Sequence, residues 1–229
     1  MIKLIVIDLD GTALLNQNTL HPYNVEVLKK YCKHGVNVVI ATGRPYRSSK
    51  VFYDELELDT PIINYNGSYI HHPKPSQFKD KIITVSKEDV IKIEEDLKDY
   101  LCNIMCEYED DVYVHKNDQW INDFFWPGET PVKYGFMKDN LDLNPCTFII
   151  EINDPSKADE VLEYMKNYPQ YNCRFWYGKY NRFAEILPLG VNKASGIKYV
   201  IEYLGLKEDE VLTIGDAGND IGIMEEFYE

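Results

Sequence analysis

An apolar run of strand-forming residues, KLIVI at 3–7, is followed directly by the acidic segment DLDGT at 8–12. Because this run is continuous rather than alternating, it is typical of a strand buried on both faces, as in parallel sheets. Comparable runs at 36–40, 61–64 and 210–214 are separated by segments with helical spacing. Strands that alternate with helices predict right-handed βαβ units, so we expect an α/β fold built on a doubly wound parallel sheet.

The middle of the chain has a different pattern. Between residues 84 and 187 short strands rich in aromatic residues follow one another, with two helical segments, which predicts an α+β module of antiparallel character. Residues 1–83 and 188–229 therefore predict one parallel-sheet domain, and residues 84–187 predict a second domain inserted into it. Both have ordinary domain sizes.

Net charge and cysteine content limit which binding partners and which cell compartment we expect for this chain. The chain has 24 Lys and Arg against 38 Asp and Glu, a formal net charge of -14. The negative electrostatic field of such a chain disfavours binding to nucleic acid and to anionic membrane surfaces. The first apolar run is too short for a signal peptide, and no segment has the length of a membrane span. The five scattered cysteines contain no CxxC pair, so we expect reduced thiols and a cytoplasmic protein.

The first acidic segment is a candidate catalytic site. Asp8 and Asp10 stand two residues apart at the carboxyl end of a predicted strand, where open α/β sheets bind ligands. Side chains at this spacing point the same way, so the two carboxylates need a shared proton or a cation. The alternative is an ordinary acidic turn, which would leave the two charges unexplained.

A second acidic segment, GDAGND at 215–220, also follows a predicted buried strand. Asp216, Asn219 and Asp220 would bring further hard oxygen ligands to the same edge of the sheet, a set suited to Mg²⁺. The alternative is a surface turn with Asx-type hydrogen bonds.

Two weaker signals point to phosphate. Thr42, Gly43 and Arg44 end the second predicted strand with a hydroxyl, a small residue and backbone N–H groups. Lys193 begins a predicted helix and could neutralise a phosphate beside the carboxylates. Taken alone, these are equally an ordinary strand-to-helix turn and a solvated lysine.

In order along the chain, these four segments resemble the motifs of the haloacid dehalogenase-like (HAD) superfamily. More narrowly, the sequence is similar to the Cof-type sugar-phosphate and nucleotide phosphatases, whose α/β cap is inserted between the second and third motifs. The resemblance covers nearly the whole chain. It implies a Rossmann-like core with an inserted cap, and a Mg²⁺-dependent phosphatase that hydrolyses a small phosphorylated metabolite through an aspartyl phosphate.

The resemblance also implies a role for each motif residue. Asp8 would be the nucleophile, and Asp10 would protonate the leaving oxygen and then activate water. The residues implied in phosphate or substrate binding are Thr12, Thr42, Gly43, Arg44, Lys193 and Asn219. The residues implied at the metal are Asp8, Asp10 through its backbone carbonyl, Asp216, Asn219 and Asp220.

One departure from the family pattern leaves alternatives open. In the family a further strand and helix follow the last motif, whereas this sequence stops at Glu229. We therefore expect the strand at 210–214 to form an uncovered edge, which a homodimer could cover. A phosphomutase with the same nucleophile, or a binding protein without turnover, are the alternatives to a phosphatase.

Aromatic residues and histidines of the middle region are less specific. Residues 120, 124–126 and 175–177 could roof an active site, but packing in the core of the inserted domain is the simpler interpretation. His71 and His72 precede a proline-rich segment and are expected to be solvated linker residues.

Overall fold

The computed structural model describes residues 1–118, 121 and 130–227. The chain forms two compact units, a core unit of Met1–Ile82 with Val191–Glu229 and an inserted unit of Ile83–Gly190. The two boundaries predicted from the sequence lie after residues 83 and 187. Among the described residues, no helix has both the length and the apolar character that crossing a membrane requires.

The elements are numbered along the chain. The first part of the core unit contains β1 (Leu4–Ile7), β2 (Leu14–Asn16), β3 (Thr19–Leu20), α1 (Pro22–Lys33), β4 (Asn37–Ile40), α2 (Tyr46–Glu55), β5 (Ile62–Asn64), β6 (Tyr69–His71) and β7 (Lys81–Ile82). The inserted unit contains α3 (Lys87–Asp96), β8 (Leu101–Tyr108), β9 (Asp111–Val114), β10 (Val132–Tyr134), α4 (Met137–Asn140), β11 (Thr147–Ile152), α5 (Ala158–Met165), β12 (Tyr171–Phe175) and β13 (Phe183–Pro188). The core unit resumes with α6 (Lys193–Leu204), β14 (Val211–Ile214) and α7 (Ile221–Glu226).

A parallel sheet organises the core unit. Strand β1 lies between β14 and β4, and Ile7 is in register with Ile214 on one side and Ile40 on the other. Both faces of β1 are covered, because Leu4 and Val6 pack into one hydrophobic cluster while Ile5 and Ile7 pack into another. This accounts for the unbroken apolar run in the sequence and confirms the predicted α/β fold.

The two edges of this sheet differ in the strands that lie beside them. Beyond β4, β5 is joined by a parallel bridge between Ala41 and Ile63, and it then pairs antiparallel with β6 and β7. At the other side, β14 is an edge of the three-stranded ladder, and Leu212 on it is 44% exposed.

The start of α6 is fixed by a capping box. The Asn192 side chain accepts a hydrogen bond from Ser195 N at 2.8 Å, and the Ser195 hydroxyl accepts one from Asn192 N at 3.2 Å. These bonds satisfy backbone groups that a helix start otherwise leaves unpaired. Lys193 is therefore held as the first residue of the helix.

His71 is not a solvated linker residue, and that prediction is wrong. It is the last residue of β6 and only 6% exposed. Its ring stacks on Tyr69 at 4.2 Å and lies edge-on to Tyr46 at 4.7 Å. Burial, with a smaller effect from His72, lowers the pKa of His71 to about 4, so the ring is neutral in the folded protein.

The inserted unit contains a six-stranded sheet in the order β10-β9-β8-β11-β13-β12. All neighbouring pairs are antiparallel except β10 with β9, so the predicted antiparallel character is confirmed for most of the sheet. One sheet face packs with α3 and α5 in a cluster that includes Cys106, Phe148 and Ile150. All five cysteines of the chain are free.

The aromatic residues of the inserted unit were expected to pack in its core. Phe175 and Trp176 pack against hydrophobic clusters, as predicted. Tyr177 is 79% exposed, so the prediction is wrong for this residue. Trp120, Phe124, Phe125 and Trp126 lie outside the described residues.

Candidate active site

Three carboxylates meet at the carboxyl ends of β1 and β14. Asp8 directly follows β1, and Asp216 and Asp220 belong to the loop that follows β14. Because the two strands are parallel neighbours in register, their ends deliver these side chains to one place. Carboxylate oxygens of Asp8, Asp216 and Asp220 lie within 4.8 Å of one another.

A buried lysine lies inside this cluster. Lys193 Nζ donates to Asp8 Oδ1 at 2.5 Å and to Asp220 Oδ1 at 2.7 Å. The side chains of Lys193 and Asp220 are 0% exposed and that of Asp8 is 5% exposed. The lysine comes from the start of α6, so three separate chain segments build the pair of contacts.

The ammonium group only partly balances the buried charge of Asp8. Burial is the largest influence, and it raises the pKa of Asp8 to about 6 against the opposing effect of Lys193. The neighbouring carboxylates of Asp220 and Asp10 raise this pKa further. The site therefore has an excess of negative charge near Asp8.

Asp216 is held in place by the first acidic segment. Thr12 Oγ1 donates to Asp216 Oδ1 at 2.8 Å. Gly11 has a φ of +83°, and a Cβ at this position would lie 2.3 Å from Asp216 Oδ2. A residue with a side chain there would displace the carboxylate, so glycine is required for both the turn and the close approach. Thr12, predicted to bind phosphate or substrate, contacts Asp216 here.

Asp220 shapes its own loop. Besides its contact with Lys193, its Oδ2 accepts hydrogen bonds from the backbone N–H groups of Asp216 at 3.2 Å and Ala217 at 3.1 Å. These contacts fold the loop after β14 so that Asp216 points toward Asp8. Asp220 thus orients both the lysine and a neighbouring carboxylate.

Asp10 and Arg44 form a pair of their own. Arg44 Nε donates to Asp10 Oδ2 at 2.7 Å and an Arg44 terminal nitrogen donates to Asp10 Oδ1 at 2.5 Å. The same terminal nitrogen reaches Gln17 O at 2.8 Å. The structure therefore places Arg44, predicted to bind phosphate, on the carboxylate of Asp10, which is outside the cluster of Asp8, Asp216 and Asp220.

The predicted phosphate loop at 42–44 packs against Asn66, a residue that the sequence motifs did not indicate. Thr42 is buried, and its hydroxyl accepts a hydrogen bond from Arg44 N at 3.1 Å. Gly43 packs against the side-chain amide of Asn66, and Asn219 Nδ2 donates to Asn66 Oδ1 at 3.0 Å. The signal available in the sequence was the Asn-Gly dipeptide at 66–67, directly after a predicted strand.

The three clustered carboxylates fit a divalent cation. Carboxylate oxygens are hard ligands of the kind that Mg²⁺ and similar ions prefer. Two of the three contact the Lys193 ammonium group and the third, Asp216, lies beside them, so a cation would offset charge that Lys193 leaves uncompensated. The close approach that Gly11 allows keeps Asp216 within this group.

Comparison with known proteins places the chain in a family. The sequence profile of the haloacid dehalogenase-like hydrolases matches residues 5–228. The 5-amino-6-(5-phospho-D-ribitylamino)uracil phosphatase YitU of Bacillus subtilis is 31% identical over 97% of this chain and 83% of its own length. The pyridoxal phosphate phosphatase YbhA of Escherichia coli is 25% identical over 97% of this chain and 84% of its own length.

A solved structure agrees on the fold. A haloacid dehalogenase-like hydrolase from Bacteroides thetaiotaomicron superposes with a TM-score of 0.82 at 23% identity, covering 99% of this chain and 86% of that one. This likeness extends over both units of the chain.

Proposed function

Because the chain belongs to the family of haloacid dehalogenase-like hydrolases, we propose that it is a Mg²⁺-dependent phosphatase of small phosphomonoesters that works through an aspartyl phosphate. The observation that carries this proposal is the buried Asp8 carboxylate at the end of β1, bonded to Lys193 beside Asp216 and Asp220. A nucleophile, a fixed cation and further carboxylates are thereby assembled at the carboxyl ends of the parallel strands.

In the first half of the reaction, Asp8 attacks phosphorus. Lys193 holds Asp8 Oδ1, so Oδ2 is the oxygen that forms the new P–O bond. The bond from phosphorus to the alcohol oxygen breaks, and that oxygen takes a proton from Asp10. The Lys193 ammonium, on a fully buried side chain, stabilises the negative charge of the phosphoryl group during its transfer.

In the second half of the reaction, a water molecule displaces Asp8 from phosphorus. Asp10 takes a proton from a water molecule, the water oxygen bonds to phosphorus, and the P–O bond to Asp8 breaks. Inorganic phosphate leaves, and Asp8 is restored as a carboxylate. Arg44 holds Asp10 with two hydrogen bonds, which fix the position of the carboxyl group that takes part in both proton transfers.

The metal would be held by Asp8, Asp216 and Asp220, whose oxygens already lie within 4.8 Å of one another. When bound, Mg²⁺ supplies positive charge that offsets the charge of the transferring phosphoryl group. Thr12 keeps Asp216 in position for this role. Asp220 orients Lys193 and the loop after β14.

The similar proteins suggest where to look for the substrate. The names of the two relatives specify 5-amino-6-(5-phospho-D-ribitylamino)uracil and pyridoxal phosphate. Both compounds carry a phosphomonoester on a side chain of a nitrogen heterocycle. We propose this class for the present chain, with the ribitylaminouracil phosphate as the first compound to test.

The test measures release of inorganic phosphate from 4-nitrophenyl phosphate, from the two heterocyclic phosphates and from glucose 6-phosphate, with Mg²⁺ and with EDTA. The wild type is compared with Asp8→Asn, which removes the nucleophile and nearly keeps its shape. Asp59→Asn is the matched control, because the Asp59 side chain is 77% exposed and lies outside the site.

We expect phosphate release that requires Mg²⁺, that is unchanged in Asp59→Asn, and that falls by at least about 1,000-fold in Asp8→Asn. A wild type that is folded and releases no phosphate from any of these compounds contradicts the proposal. Release that begins only after a sugar bisphosphate is added would instead indicate transfer between sugar hydroxyl groups, the reaction of a phosphomutase.

A further inference from the structure

The turn that follows β5 has an unusual backbone. Tyr65, Asn66 and Gly67 have successive φ values of +49°, +53° and +106°. Residues with a Cβ rarely adopt this left-handed region, and two of the three carry one. Such conformations persist where surrounding contacts hold them, and they are frequent at functional sites.

The contacts that hold this turn come from two of the predicted motif loops. Asn66 N–H donates to Thr42 O at 3.0 Å, and Asn66 Oδ1 accepts from Asn219 Nδ2 at 3.0 Å. A Cβ on Gly43 would lie only 3.2 Å from Asn66 Nδ2. The buried Asn66 side chain therefore lies between the loop after β4 and the loop after β14.

The same turn also touches the helix that carries Lys193. A Cβ on Gly67 would lie 2.4 Å from Asn192 O, so the backbone at Gly67 lies directly against the residue that precedes Lys193. Three segments that meet at the proposed phosphoryl site are thus packed on one turn. Neither the sequence motifs nor the acidic cluster includes it.

We propose that Asn66 is a positioning residue for the phosphoryl site, acting through Asn219 and through the backbone at Gly43. The inference rests on the proposed function, since it assigns a role within the same site. Its chemical basis is that a side-chain amide offers an acceptor to Asn219 on one atom and a neutral, small group to Gly43 on the other. Without this amide, the two loops lose their direct link.

The left-handed backbone conformation of Asn66 allows a substitution that leaves the turn intact. Glycine adopts the left-handed region without strain, so Asn66→Gly keeps the backbone of the turn and removes the side-chain amide that links it to Asn219. The matched control is Glu57→Gly, at an exposed position with a φ of +57° that lies outside the site. Any effect of glycine on the unfolded chain is similar in both variants.

Two measurements test the proposal. Steady-state hydrolysis of 4-nitrophenyl phosphate is compared among wild type, Asn66→Gly, Asn219→Ala, the double variant and Glu57→Gly. Binding of inorganic phosphate in the presence of Mg²⁺ is measured by calorimetry on the same proteins, because this readout does not require turnover. Urea unfolding reports whether each variant is folded.

We expect Asn66→Gly to lower kcat/KM at least about tenfold and to weaken phosphate binding, with an unfolding midpoint no lower than that of Glu57→Gly. In the Asn219→Ala background the same change has little further effect, since the link is already lost. Asn66→Gly with wild-type kinetics and phosphate affinity overturns the inference, and so do losses that add fully in the double variant.

The two proposals fail in different ways. A wild type without phosphatase activity contradicts the proposed function, while the phosphate-binding comparison still decides the role of Asn66. An active wild type whose Asn66→Gly variant is equally active contradicts the role of Asn66 alone.

Discussion

The core unit encloses a cluster of charged side chains completely, whereas two ion pairs of the inserted unit reach the surface through their arginines. In the core unit, the buried carboxylates of Asp8 and Asp220 share the buried ammonium group of Lys193, and the exposed Asp216 lies beside them. In the inserted unit, Glu185 is paired with Arg174 at 3.2 Å and Glu151 with Arg182 at 3.2 Å, and both arginines are partly exposed. The first arrangement concentrates negative charge, and the second matches acids with bases.

This difference separates two uses of buried charge. A one-to-one pair that reaches solvent loses little by being buried, and it can serve the packing of a sheet. An unbalanced and fully enclosed group is costly for folding, so it is retained where a ligand or a reaction uses it. The complete enclosure of the Lys193 ammonium group, rather than the number of ion pairs, marks the core unit as the place of the chemistry.

The largest expected effect comes from removing the enclosed ammonium group. Lys193→Met leaves Asp8 and Asp220 without their shared partner, so the free energy of unfolding should fall by about 3–5 kcal/mol when urea unfolding is measured in EDTA. Lys198→Met, on the same helix but with a side chain 45% exposed, should leave the free energy of unfolding nearly unchanged. Equal effects of the two changes would show that the enclosed ammonium group contributes no more to stability than an exposed one.

A second prediction concerns a group that is buried without charge. The folded protein keeps His71 neutral down to pH about 4, whereas the unfolded chain takes up a proton near pH 6.5. Stability due to this site is therefore lost as the pH falls from 6.5 to 4, by up to about 3 kcal/mol. Urea unfolding at pH 7 and pH 4.5 should show a weaker pH dependence in His71→Gln than in the wild type. An identical pH dependence would mean that His71 is protonated in the folded state.

The sequence predicted the framework of the site because that framework depends on local pattern and parallel topology. Strands β1 and β14 were readable from their apolar runs, and parallel neighbours must bring Asp8, Asp216 and Asp220 to one edge. The reach of Lys193 into the same place follows from its position at the start of α6. These features need only the order of elements along the chain.

Other features depend on packing between distant segments and could not be predicted. The Arg44 side chain contacts Asp10, which lies 34 positions away in sequence. Nothing in either segment indicates whether Arg44 binds this carboxylate or a phosphate. Burial of His71 depends on the rings of Tyr46 and Tyr69. The position of Asn66 depends on a left-handed backbone that its contacts maintain.

A smaller effect is expected in the inserted unit. Arg174→Met removes one partner of Glu185, and the arginine side chain of this pair is already 32% exposed, so water screens the interaction. The free energy of unfolding should fall by about 1 kcal/mol, measured by urea unfolding beside Lys193→Met. A loss as large as that of Lys193→Met would show that the two units tolerate unpaired charge equally badly.

The smallest expected effect on stability belongs to the pair of Asp10 and Arg44, whose carboxylate is 49% exposed. Arg44→Lys cannot form the two parallel hydrogen bonds, yet the free energy of unfolding should change by less than about 1 kcal/mol. Its effect should appear in kcat, because Arg44 orients the group proposed to transfer protons, and KM should stay near the wild-type value.

A double-mutant cycle with Asp10→Asn separates the two roles of Arg44. If Arg44 acts on Asp10, as their two hydrogen bonds indicate, Arg44→Lys changes little once the carboxylate has been replaced. If Arg44 binds the phosphate of the substrate, Arg44→Lys raises KM in both backgrounds. The charge of Arg44 would then belong with Lys193 to the unbalanced cluster, and the core unit would carry two fixed cations for the phosphoryl group instead of one.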